Sequence, residues 1–351
     1  MEIENPAHRE LVQRFWRAPV IAEKAGLKAV DMFDAIADGR IKAVWIISTN
    51  PVVSLPDADR ARAALDACEL VVVTDCMRDT DTTRHADVLL PALAWGEKDG
   101  TVTNSERRIS RQRPFLSAPG EARADWRIIC DVAIRMGYAG FDYASAAEVF
   151  REHAELSGFE NDGRRDFDIS ALAALDDGAY DALAPVQWPV TSEHPAGTPR
   201  MFESQAFFTP DRKARFVPVV PRAARNATSR DFPLVLNTGR VRDQWHTMTR
   251  TGKTGRLLSH IFEPYAEFHP EDARQAGLQN DGLVRLTSGW GEMIARVVVS
   301  ADQRRGCVFV PMHWNEQFAG EGRVNALVNP AVDPLSGQPE SKHTPVKADP
   351  Y

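Results

Sequence analysis

The chain has 351 residues, with 42 Lys and Arg against 49 Asp and Glu, and a formal charge of −7. That balance excludes a general nucleic-acid binder, which needs a basic face to neutralise phosphates, while 43% apolar residues mark ordinary globular composition. The length implies about two domains. No apolar run approaches the roughly 20 residues of a membrane span, and Met1-Glu2-Ile3-Glu4-Asn5-Pro6 lacks the basic and apolar regions of a signal peptide; no membrane insertion and a cytoplasmic setting are expected.

In chain order, Ala43-Val44-Trp45-Ile46-Ile47 reads as a strand ending in the polar Ser48-Thr49-Asn50-Pro51. A helix follows from Pro56 to Ala67 with Asp57 at its N-cap, then a strand Leu70-Val71-Val72-Val73 ending in Thr74-Asp75, then an apolar segment Val88-Leu89-Leu90. Continuous apolar strands imply a parallel sheet covered on both faces, and strand–helix–strand over about 30 residues is a βαβ unit. Helices are predicted over 125–136, with Trp126, Ile129, Ala133 and Met136 on one face, and over 145–156. Between about 185 and 233 eight prolines oppose helix and central strand alike, so this stretch reads as a connector. In the last third, short strands over 234–237, 283–287, 293–299 and 308–310, with a helix over 271–276, imply a compact barrel or sandwich. The division is 1–184, connector 185–231, and 232–351.

The four cysteines, Cys68, Cys76, Cys130 and Cys307, form no CxxC pair and have no His at zinc-ligand spacing; Cys68 and Cys130 read as buried apolar residues. In open α/β sheets ligands bind at the carboxyl ends of strands. The two polar strand ends therefore matter. A carboxylate such as Asp75 can accept both N–H groups of a guanine or pterin edge, or it can serve as a turn cap. No glycine-rich phosphate loop follows either strand. Four arginines, Arg107, Arg108, Arg111 and Arg113, form a basic patch that can hold an anion or be salt-bridged within a loop. Thr238-Gly239-Arg240 and then Gln244-Trp245-His246-Thr247-Met248-Thr249 offer an anion approach, a stacking ring and hydroxyls. His313 follows an apolar strand and could face a pocket.

These segments, in this order, resemble the molybdenum–bis(molybdopterin guanine dinucleotide) oxidoreductases, the dimethyl sulfoxide reductase superfamily, and within it the catalytic subunits of bacterial assimilatory nitrate reductases. The resemblance rests on Thr49-Asn50-Pro51-Val52-Val53-Ser54-Leu55-Pro56, Ala86-Asp87-Val88-Leu89-Leu90-Pro91-Ala92, Gly96-Glu97-Lys98-Asp99-Gly100, Thr103-Asn104-Ser105-Glu106-Arg107-Arg108, the 238–252 stretch, Val324-Asn325-Ala326-Leu327 and the 333–342 stretch ending in Lys342. It implies a Rossmann-like parallel-sheet domain followed by a six-stranded double-psi β-barrel domain. It also implies that Asp75 binds the guanine, that Asn50 and Thr80 border the same nucleotide, that Arg240, Trp245, His246 and Thr247 contact the cofactor, and that Asn325 and Lys342 approach the pterin. Arg107 and Arg108 are candidates for a substrate funnel. The family's 4Fe–4S cysteine motif and molybdenum ligand are not in these residues, so the chain corresponds to roughly the C-terminal half of such an enzyme, short of the full tail at Pro350-Tyr351. Nitrate as substrate, an electron-donor protein or domain, and the missing N-terminal half are the implied partners. A formate dehydrogenase-like relative, or a non-catalytic cofactor-binding fragment, are the alternatives.

Overall fold

Ala43–Ile47 (β1), Leu70–Asp75 (β2) and Val88–Pro91 (β3) form a parallel sheet in the order β1-β2-β3 in a computed structural model that describes all 351 residues. β-Branched and aromatic side chains dominate β1 and β2, as a pleated, half-buried surface favours. Their register runs from Ala43 opposite Leu70 to Ile47 opposite Thr74. The alanine- and arginine-rich segment Ala58–Ala67 is a strong helix former and makes the crossover from β1 to β2. With the helix Ala29–Ala37 it packs Phe33, Ile36, Ala64 and Leu65 against Val44, Ile46, Val71 and Val73. Buried positions alternate with less buried ones at Val44–Ile47 and Leu70–Val73. The continuous apolar runs imply equal cover on both faces; in the fold these helices seal one face and leave the other half-buried. Asp57 does precede the helix, but at φ 45° its carboxylate makes no capping bond. Its backbone does the work instead: the carbonyl accepts from the N–H of Arg60 and Ala61, and its N–H donates to the Val328 carbonyl.

Gly100–Thr103 (β4), Arg108–Gln112 (β5) and Val186–Gln187 (β6) form a separate antiparallel sheet in the order β4-β5-β6. Ile109 on β5 joins Phe150, Ile169, Tyr180 and Val190 in a core of its own. The helix Ala146–Gly158 starts where Ser145 accepts from the Glu148 N–H, a normal N-cap. In the helix Asp125–Arg135 the buried residues are Ile128, Cys130 and Ala133, whereas Ile129 and Met136 are exposed. The apolar residues of this helix lie on more than one side, so periodicity alone chose the wrong stripe. After β6 no helix or strand forms until Leu234, as the proline density requires.

Leu234–Gly239 (β7), Tyr265–Phe268 (β8), Leu283–Thr287 (β9), Glu292–Val299 (β10), Cys307–Pro311 (β11) and Thr344–Pro350 (β12) close into a six-stranded barrel. Its order is β10-β8-β11-β7-β12-β9, with β7–β11 and β8–β10 parallel and the other pairs antiparallel. Alternate residues fill the interior: Leu236, Phe268, Leu286, Met293, Val297 and Val310 are all fully buried. Each such side chain contributes about 1.5–3 kcal/mol. Closure leaves no open sheet edge.

Two compact units result, each assembled from two stretches of chain. One comprises Met1–Gly26 and Ala92–Val220; the other comprises Leu27–Pro91 and Pro221–Tyr351, and so holds both the parallel sheet and the barrel.

Candidate functional site

In the unit that holds the sheet and the barrel, three polar segments meet. Asn50 follows β1 and is 7% exposed; its Nδ2 donates to Thr247 Oγ1 at 3.1 Å and its Oδ1 accepts from Thr82 Oγ1 at 2.6 Å. The end of β1, the loop after β2 and the loop after β7 are thereby tied through one amide. Pro51 at the first turn of the short helix Pro51–Ser54 fits the position where a missing N–H costs nothing. Asn325 closes the other end of that turn, its Nδ2 donating to the Ser54 carbonyl at 2.8 Å.

Asp75 is the last residue of β2, half-buried, with Oδ1 accepting from the Met77 N–H at 2.8 Å. Burial, and then the Asp75 charge beside it, push the Cys76 thiol above its ordinary pKa; Cys76 is therefore no ready thiolate. Thr80 is buried and occupied locally: its Oγ1 accepts from the Thr83 N–H at 3.0 Å, and its N–H donates to Thr83 Oγ1 at 2.7 Å. The residue of this loop that reaches Asn50 is Thr82, which the sequence reading passed over.

Residues 240–251 carry most of the other predicted contacts. The Arg240 guanidinium lies 4.6 Å over the Trp245 ring, which is 56% exposed, and the His246 ring meets Trp245 edge-on at 4.5 Å. Cation, indole and imidazole thus form one solvent-facing surface. Burial, with the charges of Arg240 and Arg250 adding to it, holds His246 below the ordinary histidine pKa. Lys342 Nζ donates to the Thr238 carbonyl at the end of β7, and Thr238 Oγ1 donates to the Ser341 carbonyl at 2.8 Å. At Gly239 a Cβ would stand 2.4 Å from Phe309 Cε2, so the glycine makes room for a ring of this chain.

The loop holds two non-glycine residues in the left-handed region, His246 at φ 42° and Met248 at φ 60°, each costing of order 1–3 kcal/mol. Side chains after β11 hold it there. His313 is fully buried; its Nδ1–H donates to the His246 carbonyl at 2.7 Å and its Nε2 accepts from the Val241 N–H at 2.9 Å. A carbonyl only accepts and an N–H only donates, so this pair fixes the neutral Nδ1–H tautomer. Burial lowers its pKa. His313 therefore faces a loop backbone and not a pocket. Asn315, also fully buried, donates from Nδ2 to the Thr247 carbonyl. Its place after an apolar strand is the one signal that the sequence offered for it.

Beneath these loops lies an ionic joint. Arg323 is 7% exposed; it donates to the Val52 carbonyl at 3.0 Å and pairs with Asp59 at 2.5 Å and Glu316 at 3.2 Å. Asp81, 2% exposed, accepts the Glu316 N–H on Oδ2 at 3.0 Å, while its Oδ1 has no partner; burial raises its pKa.

The other unit holds the arginine patch, whose charges are internal. Arg107, at φ 67° in the turn between β4 and β5, donates to the carbonyls of Trp188, Thr198 and Pro199. Arg108 pairs with Glu106 at 3.0 Å. Arg111, its side chain 3% exposed, pairs with Asp99 at 2.8 Å and Asp181 at 3.2 Å and lies 4.1 Å over Tyr180. Arg113 also reaches Asp181.

Neither unit groups three or more His, Cys, Asp or Glu so as to hold a metal ion, and no helix is long and apolar enough to cross a membrane. Residues 6–135 match the family described as molybdopterin oxidoreductase, and residues 234–345 match the molydopterin dinucleotide binding domain. A nitrate reductase of Klebsiella oxytoca is 53% identical over 343 residues, which is 97% of this chain and 39% of the relative. The F420-dependent formate dehydrogenase subunit alpha of Methanocaldococcus jannaschii is 33% identical over 341 residues, 97% of this chain and 47% of the relative. The chain thus spans less than half the length of either. The solved structure of acetylene hydratase from Pelobacter acetylenicus shares the fold, with a TM-score of 0.70 at 18% identity over 91% of this chain and 46% of that one. Residues 6–135 and 234–345 thus carry molybdopterin oxidoreductase and molydopterin dinucleotide-binding domains, and the chain aligns with the C-terminal part of proteins named nitrate reductase.

Proposed function

We propose that this chain is the C-terminal part of a molybdenum nitrate reductase of assimilatory type, in which it binds a guanine dinucleotide form of the molybdopterin cofactor. The observation that carries the reading is the 53% identity to the Klebsiella nitrate reductase over nearly the whole chain. The donor set fits the organic part of such a cofactor. Asp75 stands at a parallel strand end with one oxygen in an Asx turn, leaving acceptor capacity for the N1–H and N2–H of guanine. Arg240, braced on Trp245, offers a planar donor fork to a phosphate. Lys342 and Asn325, at the ends of β7 and of the 51–54 turn, supply further donors for the pterin. The barrel is read as the double-psi type. Metal ligand, 4Fe–4S cluster and electron-donor contacts are assigned to the rest of the complete enzyme.

Bound molybdenum supplies the two-electron oxygen-atom transfer that turns nitrate into nitrite, the chemistry belonging to the cofactor. The chain's own residues bind and orient. Asn50 locks three loops together so that the strand-end carboxylate and the Arg240–Trp245 surface keep fixed places. Arg107 and Arg108 stay outside this reading, because carbonyls and Glu106 already occupy their guanidiniums.

The 33% identity to a formate dehydrogenase subunit favours formate oxidation as the second reading. One experiment separates the two: the complete enzyme, containing this chain, is assayed with viologen. Nitrate-dependent oxidation of reduced viologen is the expected result. Formate-dependent reduction of oxidised viologen, with no response to nitrate, would replace this reading by the second.

A further inference from the structure

Residues 240–248 present the Arg240–Trp245–His246 surface; their own Met248 N–H donates to the Trp245 carbonyl at 3.0 Å, which leaves the carbonyls of His246 and Thr247 to outside partners. Groups from elsewhere add three bonds: the His246 carbonyl accepts from His313, the Thr247 carbonyl from Asn315, and the Thr247 side-chain Oγ1 from Asn50. A fourth bond returns from the loop's start, the Val241 N–H to His313 Nε2. His313 is thus the one side chain that grips both ends of the loop, 241 and 246, and it does so with opposite polarity on its two nitrogens. No other side-chain type supplies a buried donor and a buried acceptor at that separation in one rigid ring.

We propose that His313 is a positioning residue: its neutral ring staples Val241 to His246 and so holds the Arg240–Trp245 surface in its ligand-ready shape. The inference rests on the reading of that surface as the dinucleotide site. The staple carries a built-in acid limit. An imidazolium has no lone pair on Nε2, so a protonated ring must release the Val241 N–H and place a positive charge beside Arg240 and the His246 ring, the charged and titratable groups that face it. Since burial depresses its pKa, the loop stays closed at neutral pH and opens only below the ordinary histidine range, near pH 6.5.

The test uses the 351-residue chain with His313→Leu and His313→Gln, read by amide hydrogen exchange at neutral and acid pH and by GDP binding in calorimetry. Leucine keeps the bulk and loses both bonds; glutamine keeps an amide able to accept from Val241 and does not titrate. In His313→Leu, exchange at Val241 and 246–248 should rise at least tenfold while β7 and β11 amides stay protected, and GDP affinity should fall at least tenfold. His313→Gln should recover loop protection at neutral pH to within about threefold and abolish its loss in acid. Unchanged loop exchange in His313→Leu would overturn the staple, whatever GDP does. Failure of the wild-type chain to bind GDP while the loop loosens as described in His313→Leu would leave the staple standing and remove the dinucleotide reading instead.

Discussion

The hairpin between β4 and β5 and the loop after β7 have similar compositions and opposite outcomes. Both are rich in arginine and hydroxyl residues, and both look like anion sites on a chain of net negative charge. In the hairpin every guanidinium finds a partner within its own unit: carbonyls for Arg107, Glu106 for Arg108, Asp99 and Asp181 for Arg111. In the loop the backbone is bonded from outside, and Arg240 is left lying on an exposed indole with no carboxylate. Cation count therefore says little about ligand binding. What decides is whether nearby acids and carbonyls have already taken the donors, because a compensated guanidinium must give up a bond before it can make another.

The largest expected effect lies in the hairpin. Arg111 is nearly buried, and its carboxylate partners are half-exposed to exposed. Breaking a fully buried pair costs about 3–5 kcal/mol; the exposure of Asp99 and Asp181 reduces the expectation for Arg111→Met to about 2 kcal/mol, with cofactor content per folded enzyme unchanged. Urea unfolding of the chain and pterin analysis of the complete enzyme check the two halves. A drop in pterin content without a shift in the urea midpoint would erase the contrast between the regions.

Arg240→Ala should give the mirror result. The side chain is exposed and its stacking contributes about 0.5–1 kcal/mol at such a site, so the urea midpoint should move little. Loss of a charge-assisted bond to a phosphate should weaken GDP binding by roughly ten- to a hundredfold, since such bonds are worth about 1.5–3 kcal/mol. A measured affinity within twofold of wild type would mean that the Arg240–Trp245 surface is ornamental to the site.

Much of this fold is legible in the sequence, and the reasons are local. β1, β2, the helix between them and four of six barrel strands announce themselves through β-branched runs, polar ends and glycine turns. Two barrel strands do not. β8 is only four residues, Tyr-Ala-Glu-Phe, and β12 contains Pro345 and Pro350, which argue against a strand when only the sequence is known. Nor does composition reveal that the two units take alternating stretches of the chain. In the site, residue types at strand ends are readable because topology puts ligands there. The direction of a hydrogen bond is not: Thr80 turned inward to Thr83 and Thr82 outward to Asn50 differ by tertiary packing alone, and His313 and Asn315 matter through backbone groups that no residue pattern records.

Asp81 gives the smallest effect and the finest test of the same idea, because it is a buried charge whose compensation is incomplete. Its Oδ2 accepts the Glu316 N–H, while Oδ1 is buried and unbonded. Burial, with the Glu316 charge adding to it, raises its pKa against the opposing pull of that backbone bond, Arg323 and Arg84. A carboxyl whose folded pKa lies above its unfolded value, about 3.9, favours the folded state below that value and loses this contribution as pH rises through the folded pKa. At pH 7 the ionised group therefore works against folding. Asp81→Asn keeps an acceptor for Glu316 and removes the charge, so it should stabilise the chain by about 0.5–1 kcal/mol at pH 7, and the gain should shrink as pH falls towards 4. If the variant is instead less stable at pH 7 than wild type, Arg323 and Arg84 already neutralise Asp81, and the buried charges of both regions are equally well paired.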